Sequence, residues 1–179
     1  MQTSIKILIS LSFWAVSFML LIGCSESKQL DFGEFTIQVP KSWQQIKQQG
    51  VDSYVGLIAI DEGDTLSFDL GWYSNELKED GDIFEKHASQ ILQRDGSIKI
   101  PERLRKNKES YLMIDQKKAK IVQPKITGNG LTGVYFDSLW KKGADVDRFQ
   151  LSGHNLKPEN EKALLKAIKT LKFKRITDD

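Results

Sequence analysis

Few residues in this chain of 179 could carry out covalent chemistry, since it contains one cysteine and two histidines. Cys24 is the only thiol, so no disulfide can form within the chain. A serine nucleophile needs a histidine base and an orienting acid, and no GxSxG elbow is present. We expect His87 on the apolar face of a helix and His154 bridging backbone groups near the last helix. The sequence therefore indicates a protein that is not an enzyme.

Metal and phosphate sites are not indicated either. Two histidines far apart in the sequence offer little to zinc. The acidic stretch at 76–82 could in principle bind calcium, but it lacks the DxDxDG ladder and the distal glutamate. A solvated loop before a helix is the favoured interpretation, with a weak calcium site as the alternative, and the turn Asp61–Asp64 is interpreted in the same way. The glycines at 128–133 match no phosphate-binding fingerprint. We predict no metal and no cofactor.

A short basic run is the strongest local charge feature, with Arg103, Arg105, Lys106 and Lys108 within six residues. The whole chain holds 26 Lys and Arg against 24 Asp and Glu, a net charge of +2. That charge is too small to imply a nucleic-acid partner. The run is interpreted first as a solvated turn, and alternatively as a contact for anionic membrane headgroups.

The surroundings of Cys24 give the clearest signal in the chain. Residues 7–22 carry no charge, and as a helix they would span about 24 Å, short of the roughly 30 Å of a bilayer core. Such a segment is typical of a secretory signal. Leu21, Ile22, Gly23 and Cys24 resemble the lipobox of bacterial lipoproteins. An uncleaved anchor or an ordinary secretory signal with an incidental cysteine is the alternative.

The lipobox resemblance implies a specific maturation. The Cys24 thiol would be linked to diacylglycerol, the signal peptide at 1–23 removed, and the new amino group often acylated, for example with palmitate. Two or more acyl chains anchor a protein stably to a membrane. Residues 24–30 would form the lipidated N-terminus and a polar tether, and 31–179 a single domain. Since Ser25 is not aspartate, the resemblance favours the outer membrane over the inner in a Gram-negative cell envelope.

Hydrophobic periodicity predicts an α+β domain. Alternating apolar residues indicate strands, and apolar stripes of helical spacing indicate two amphipathic helices. The predicted strands are 34–39, 53–60, 66–73, 110–115, 118–123, 131–141 and 145–152, and the predicted helices are 82–94 and a last one starting at Pro158. Residues 41–45 are predicted to form one helical turn. Strands in sequence with short turns favour an antiparallel sheet, which the two helices must cover.

The aromatic residues divide into two predicted groups. Trp43, Trp72 and Trp140 are expected in the core or at its edge. Tyr73 and Tyr135 fall on the opposite face of their strands. If no helix covers that face, we expect the two tyrosines to form an exposed patch that contacts a partner.

Two stretches resemble the PsbP-like family. One is Phe35-x-Ile37-x-Val39-Pro40-x-x-Trp43, and the other is 153–156 leading into a terminal helix and a closing Leu-Lys-Phe. The resemblance implies a curved antiparallel sheet of about six to seven strands flanked by two main helices, an α/β/α sandwich. It also implies a binding or assembly module. We therefore expect a membrane-anchored lipoprotein that binds or scaffolds a protein partner in the envelope. The alternative is a module that binds a small or lipidic ligand between sheet and helix, and an enzyme is a distant third.

Overall fold

A computed structural model describes residues 26–142 and 145–174 and shows an α+β fold. The elements in chain order are β1 Ser27–Asp31, β2 Phe35–Pro40, β3 Gln44–Lys47, β4 Tyr54–Ala59, β5 Thr65–Gly71, α1 Asp80–Ile91, a 3-10 turn Glu102–Leu104, β6 Asn107–Ile114, β7 Lys117–Pro124, β8 Leu131–Lys142, β9 Asp145–His154, α2 Pro158–Ile168 and β10 Lys172–Phe173. Neither helix of the described ranges is long and apolar enough to cross a membrane.

Two antiparallel sheets organise the fold. The larger has seven strands in the order β3-β4-β5-β9-β8-β7-β6, and the smaller has three in the order β1-β2-β10. The predicted α+β class, with a sheet of about seven antiparallel strands and two main helices, is thus confirmed. The three-stranded sheet was not predicted.

The core fills the space between the inner face of the large sheet, the small sheet and α2. Phe35 from β2 contacts Phe68 of β5 and Phe149 of β9 edge to face, with ring centroids 5.1 and 4.8 Å apart. Leu164 and Ile168 of α2 are fully buried in the same cluster. Burying such side chains stabilises each by roughly 1.5–3 kcal/mol. Because apolar residues alternate along the strands, their side chains lie on the same face of each sheet and pack against one another.

The first residues of the domain differ from the prediction. Residues 27–30, assigned to a polar tether, lie in β1, which pairs with β2 from Ser27 opposite Pro40 to Asp31 opposite Thr36. The helical turn predicted at 41–45 is also wrong, because Gln44 opens β3. Trp43 does reach the core, as predicted, with 1% of its surface exposed. The folded domain therefore begins within three residues of Cys24.

The N-terminus of α2 is held by a distant turn. The Asp64 carboxylate accepts hydrogen bonds from the backbone N–H of Lys157 (2.8 Å) and from the Asn160 side chain (2.7 Å). Asp61 accepts two backbone N–H groups of its own turn, and its side chain also pairs with Lys157. The Asp61 carboxylate therefore shapes the turn, and Gly63 does not adopt a positive φ. The turn was interpreted as a solvated loop, yet Asp64 is only 8% exposed.

The outer face of the large sheet is crossed by the segment that leads into α1. Leu77 of this segment packs with Val122, Leu131 and Tyr135 in a second, smaller cluster. Helix α1 begins at Asp80 rather than at the predicted 82, and it ends at Ile91. The chain between β5 and α1 thus acts as a cover over part of the sheet.

Candidate functional site

An exposed pair of aromatic side chains stands at the end of β5. The strand ends at Gly71, and the backbone N–H of Ser74 closes a turn onto the Gly71 carbonyl (3.3 Å). This turn carries Trp72 and Tyr73 off the sheet, where they are 48% and 71% exposed with ring centroids 5.2 Å apart. Arg148 of the neighbouring strand β9 donates to the Trp72 carbonyl (2.9 Å) and fixes the turn. The prediction that Trp72 belongs to the core or its edge is wrong.

A neighbouring loop extends this aromatic surface. Residues 48–53 connect β3 to β4, and together with Trp72 they line an open groove of about 610 Å³. Val51 at the tip of the loop is 97% exposed. We call Val51, Trp72 and Tyr73 the aromatic end. A cluster of exposed Trp, Tyr and Val is unusual on a folded surface and typical of sites that bind another molecule.

Tyr135 does not belong to this surface. It is 7% exposed, packed under Leu77, and burial raises the pKa of its hydroxyl above the ordinary value. The predicted exposed patch of Tyr73 and Tyr135 is therefore corrected: Tyr73 is exposed beyond the end of its strand, and Tyr135 is covered by the segment before α1.

Tyr135 instead belongs to a polar row across the outer face of the sheet. Tyr111, Lys120, Tyr135, Gln150 and Asp69 lie directly opposite one another on successive strands from β6 to β5. The ammonium group of Lys120 lies 5.6 Å from the Tyr135 ring centre. Burial raises the pKa of the Asp69 carboxyl, whose Oδ1 is enclosed without a hydrogen bond among the described residues. From Lys120 to Asp69 the polar row is buried or half-buried and offers little surface to a partner, whereas Tyr111 at the sheet edge is 59% exposed.

Lys120 is also the buried member of a charged cleft. Only 7% of its side chain is exposed, and Nζ lies 3.8 Å from carboxylate oxygens of both Glu76 and Glu109. The cleft has a volume of about 490 Å³. Glu79 at its rim accepts the backbone N–H groups of Lys106 and Asn107 as well as the Asn107 amide (2.8 Å). The segment before α1 is thereby clamped to the first residues of β6.

The acidic stretch at 76–82 is engaged within the chain. Glu76 pairs with Lys78, which lowers the pKa of the Glu76 carboxyl. Glu79 holds β6 as described above, and Asp80 pairs with Arg105 at 3.1 Å. Within the described ranges no group of three or more Asp, Glu, His or Cys is arranged to hold a metal ion. The acidic side chains serve the clamp and the cleft.

The basic run lies along the 3-10 turn and the start of β6. Arg103 donates to the Gln90 side chain at 3.3 Å, and Arg105 is the partner of Asp80. Lys106 and Lys108 are exposed. Carboxylates alternate with these cations, so the local surface is of mixed charge. Contact with anionic headgroups stays a prediction.

The two histidines lie in different parts of the fold. His87 is half-buried in α1, at a residue with φ −136° and ψ 22° that kinks the helix. Its Nδ1 lies 3.4 Å from the Gln90 amide nitrogen. His154 is exposed at the end of β9, and the bridge to the neighbouring loop that was expected of it is made by Asn155, which accepts the Gly130 N–H at 2.9 Å.

The predicted lipidation site lies outside the described residues, as do Leu21, Ile22, Gly23 and Cys24. Comparison with models of known protein families and with curated proteins finds no match for this chain.

Tyr73 was identified from the sequence as part of an exposed patch, whereas Trp72 and Val51, the other two residues of the aromatic end, were not. Trp72 continues the apolar alternation of β5, so only the turn at Gly71–Ser74 reveals that it leaves the sheet. Val51 sits among polar residues in a loop and carries no periodic signal. The one available clue was the Gly-Trp-Tyr-Ser-Asn order at 71–75, whose small and polar residues favour a turn.

Proposed function

We propose that this protein is a lipid-anchored lipoprotein of the cell envelope, with a PsbP-like domain that binds a protein partner through the aromatic end. The observation that carries the proposal is the exposure of Trp72 and Tyr73 as neighbouring rings, with planes tilted by 31°, on a turn fixed by Arg148. Trp and Tyr are the residues that most often dominate binding energy at protein interfaces. A rigid aromatic pair also loses little conformational entropy when it is bound.

The position of the aromatic end favours a protein partner, rather than the membrane, as its binding target. The backbone N–H of Lys41 donates to the Glu26 carbonyl, so Glu26 lies beside Lys41. Three residues after Lys41, Gln44 lies opposite Ala59 at one end of the large sheet. Trp72 follows β5 at the other end, and the seven residues of β5 span about 24 Å. Three residues from Cys24 to Glu26 reach at most about 10 Å. A lipid on Cys24 would hold the first end at the bilayer and leave the aromatic end facing away from it.

The partner contact is tested by photo-crosslinking in cells. A photoreactive amino acid in place of Tyr73 should yield one discrete covalent adduct. The matched control is the same amino acid in place of Ile126, which is 69% exposed but lies outside the aromatic end; it should yield none. Trp72→Ala should reduce the Tyr73 adduct at least tenfold, since a hot-spot truncation of about 2 kcal/mol weakens binding roughly thirtyfold. Equal adducts from positions 73 and 126 would contradict the proposal.

A second candidate function is supported by an apolar groove on α1. Phe84 and Ile98, which are 41% and 57% exposed, line a space of about 490 Å³ together with Ile100 and Arg105. Asp80, the ion-pair partner of Arg105, also lines the groove, so this arrangement suits a small lipidic ligand. Native mass spectrometry of the purified protein should then show a retained small molecule that Phe84→Asp releases. Protein free of any retained molecule in that experiment counts against this candidate.

A further inference from the structure

The eight-residue strand β6 forms one edge of the large sheet, where its neighbour is β7 alone. The four consecutive residues Lys108–Tyr111 are all exposed. Because successive side chains of a strand point to opposite faces, both faces of this segment are open among the described residues. The outward N–H and C=O groups of such an edge form a template for another strand.

Lys108 and Glu109 are the charged residues of this edge, but a bulge and a proline, two other devices that usually prevent pairing, are absent from the described strand. It is the longest edge strand described, since β3 at the other edge of the same sheet has four residues and β1 of the small sheet has five. The register with β7 runs without a bulge from Asn107 opposite Pro124 to Ile114 opposite Lys117. The strand contains no proline. A regular, uncovered edge of this length favours strand addition.

We propose that β6 pairs antiparallel with β6 of a second copy of this chain, with the two-fold axis passing through Ser110. A two-fold interface must be self-complementary, and the charges of β6 favour this register over those centred on Lys108 or Glu109. Glu109 then faces Tyr111 of the other copy, and Lys108 faces Leu112. An axis through Lys108 or Glu109 would instead place two like charges directly opposite each other, which is unfavourable.

The side chains on the outer face fit this register. Tyr111 is 59% exposed, so its hydroxyl can donate to the Glu109 carboxylate across the axis. Lys120 lies 3.8 Å from the same carboxylate and offsets its charge as the two copies approach. Ser110 is small, which lets the two backbones meet at the axis. The partner that best fits this edge is therefore another copy of this chain.

Cysteine cross-linking of the full chain tests the register. Directly opposite residues have Cα atoms about 4.5–5.5 Å apart, within the range for a disulfide. Oxidised membranes carrying Ser110→Cys should give a disulfide-linked dimer. Glu109→Cys is the matched control, because its two copies lie diagonally at about 7–8 Å, too far to be bridged readily. The wild-type chain, which shares Cys24, controls for cross-links through that residue.

Sedimentation equilibrium of the detergent-solubilised chain gives an independent readout. Ser110→Lys places two ammonium groups opposite each other at an exposed position, and we expect at least a tenfold weaker dimer. At concentrations where both chains are monomeric, the melting temperature should equal that of the wild type. The double variant of Trp72→Ala and Tyr73→Ala should dimerise normally, which separates this inference from the proposed partner contact. A monomer at every concentration, an equal cross-link from Glu109→Cys, or an unchanged dissociation constant for Ser110→Lys would each overturn the proposal.

Discussion

Replacing Asp64 by alanine should destabilise the domain strongly, although this residue lies in a turn of three acidic residues and a glycine. The change removes the acceptor of two hydrogen bonds, from the Lys157 backbone at 2.8 Å and from the Asn160 amide at 2.7 Å. A hydrogen bond to a charged group contributes about 1.5–3 kcal/mol, and loss of a helix N-cap costs about 0.5–2 kcal/mol. Asn160 is itself only 8% exposed, so water replaces the Asp64 acceptor poorly, although its amide keeps the hydrogen bond that it donates to Asp61 (2.7 Å).

These contributions overlap, and we expect a loss of about 2–4 kcal/mol in the free energy of unfolding. For a domain of this size that corresponds to a decrease in melting temperature of roughly 4–16 °C. Urea unfolding followed by tryptophan fluorescence measures it directly. Asp64→Asn, which keeps one acceptor oxygen, should fall between wild type and Asp64→Ala.

Glu62 provides the matched control for this experiment. It lies in the same turn, two residues before Asp64, and is exposed. Glu62→Ala should change stability by no more than about 0.5 kcal/mol, as is usual for a surface substitution. If Asp64→Ala were no more destabilising than Glu62→Ala, the view that this turn caps α2 would be refuted.

Two further predictions concern buried or paired charges. Hydrogen bonds from its own turn, together with Lys157, lower the pKa of Asp61 well below the usual range. The resulting stabilisation is present above the unfolded pKa and is lost as pH falls towards the folded pKa, so Asp61→Asn should flatten the acid limb of the stability–pH profile below about pH 4. Lys120→Ala leaves Glu76 and Glu109 without their buried cation and should cost about 1–3 kcal/mol, measured by urea unfolding. The exposed neighbour Lys118→Ala should change stability by less than about 0.5 kcal/mol; equal effects of the two lysine variants would contradict the assigned role of Lys120.

The parts of the fold that the sequence predicted are those with strong local patterns. The β8–β9 hairpin follows from apolar alternation on both arms, and α2 follows from Pro158 and an apolar stripe. The short strands β1 and β10 escaped prediction because each is formed by pairing with β2 rather than by a periodic pattern of its own. Strands of two to five residues carry too little pattern to be told from loops.

The candidate site was predicted only in part, because exposure depends on tertiary contacts. Tyr135 sits on the face that alternation assigns to solvent, yet the segment carrying Leu77 folds over it. Trp72 follows the core pattern of β5, yet the chain turns away before reaching it. Both errors arise where a segment without regular structure decides which side chains are covered. Tyr73 was predicted correctly as exposed, since its place beyond Gly71 does not depend on that cover.

The proposed lipid anchor on Cys24 underlies the proposed location and the proposed orientation of the aromatic end, so its detection is the most direct test of the account. Cells grown with radioactive palmitate should yield a labelled protein in the membrane fraction, with a mass that matches residues 24–179 plus acyl groups. Cys24→Ser should abolish the label and release the protein from the membrane. A native protein that retains Met1, or a Cys24→Ser variant labelled as strongly as wild type, would contradict the account.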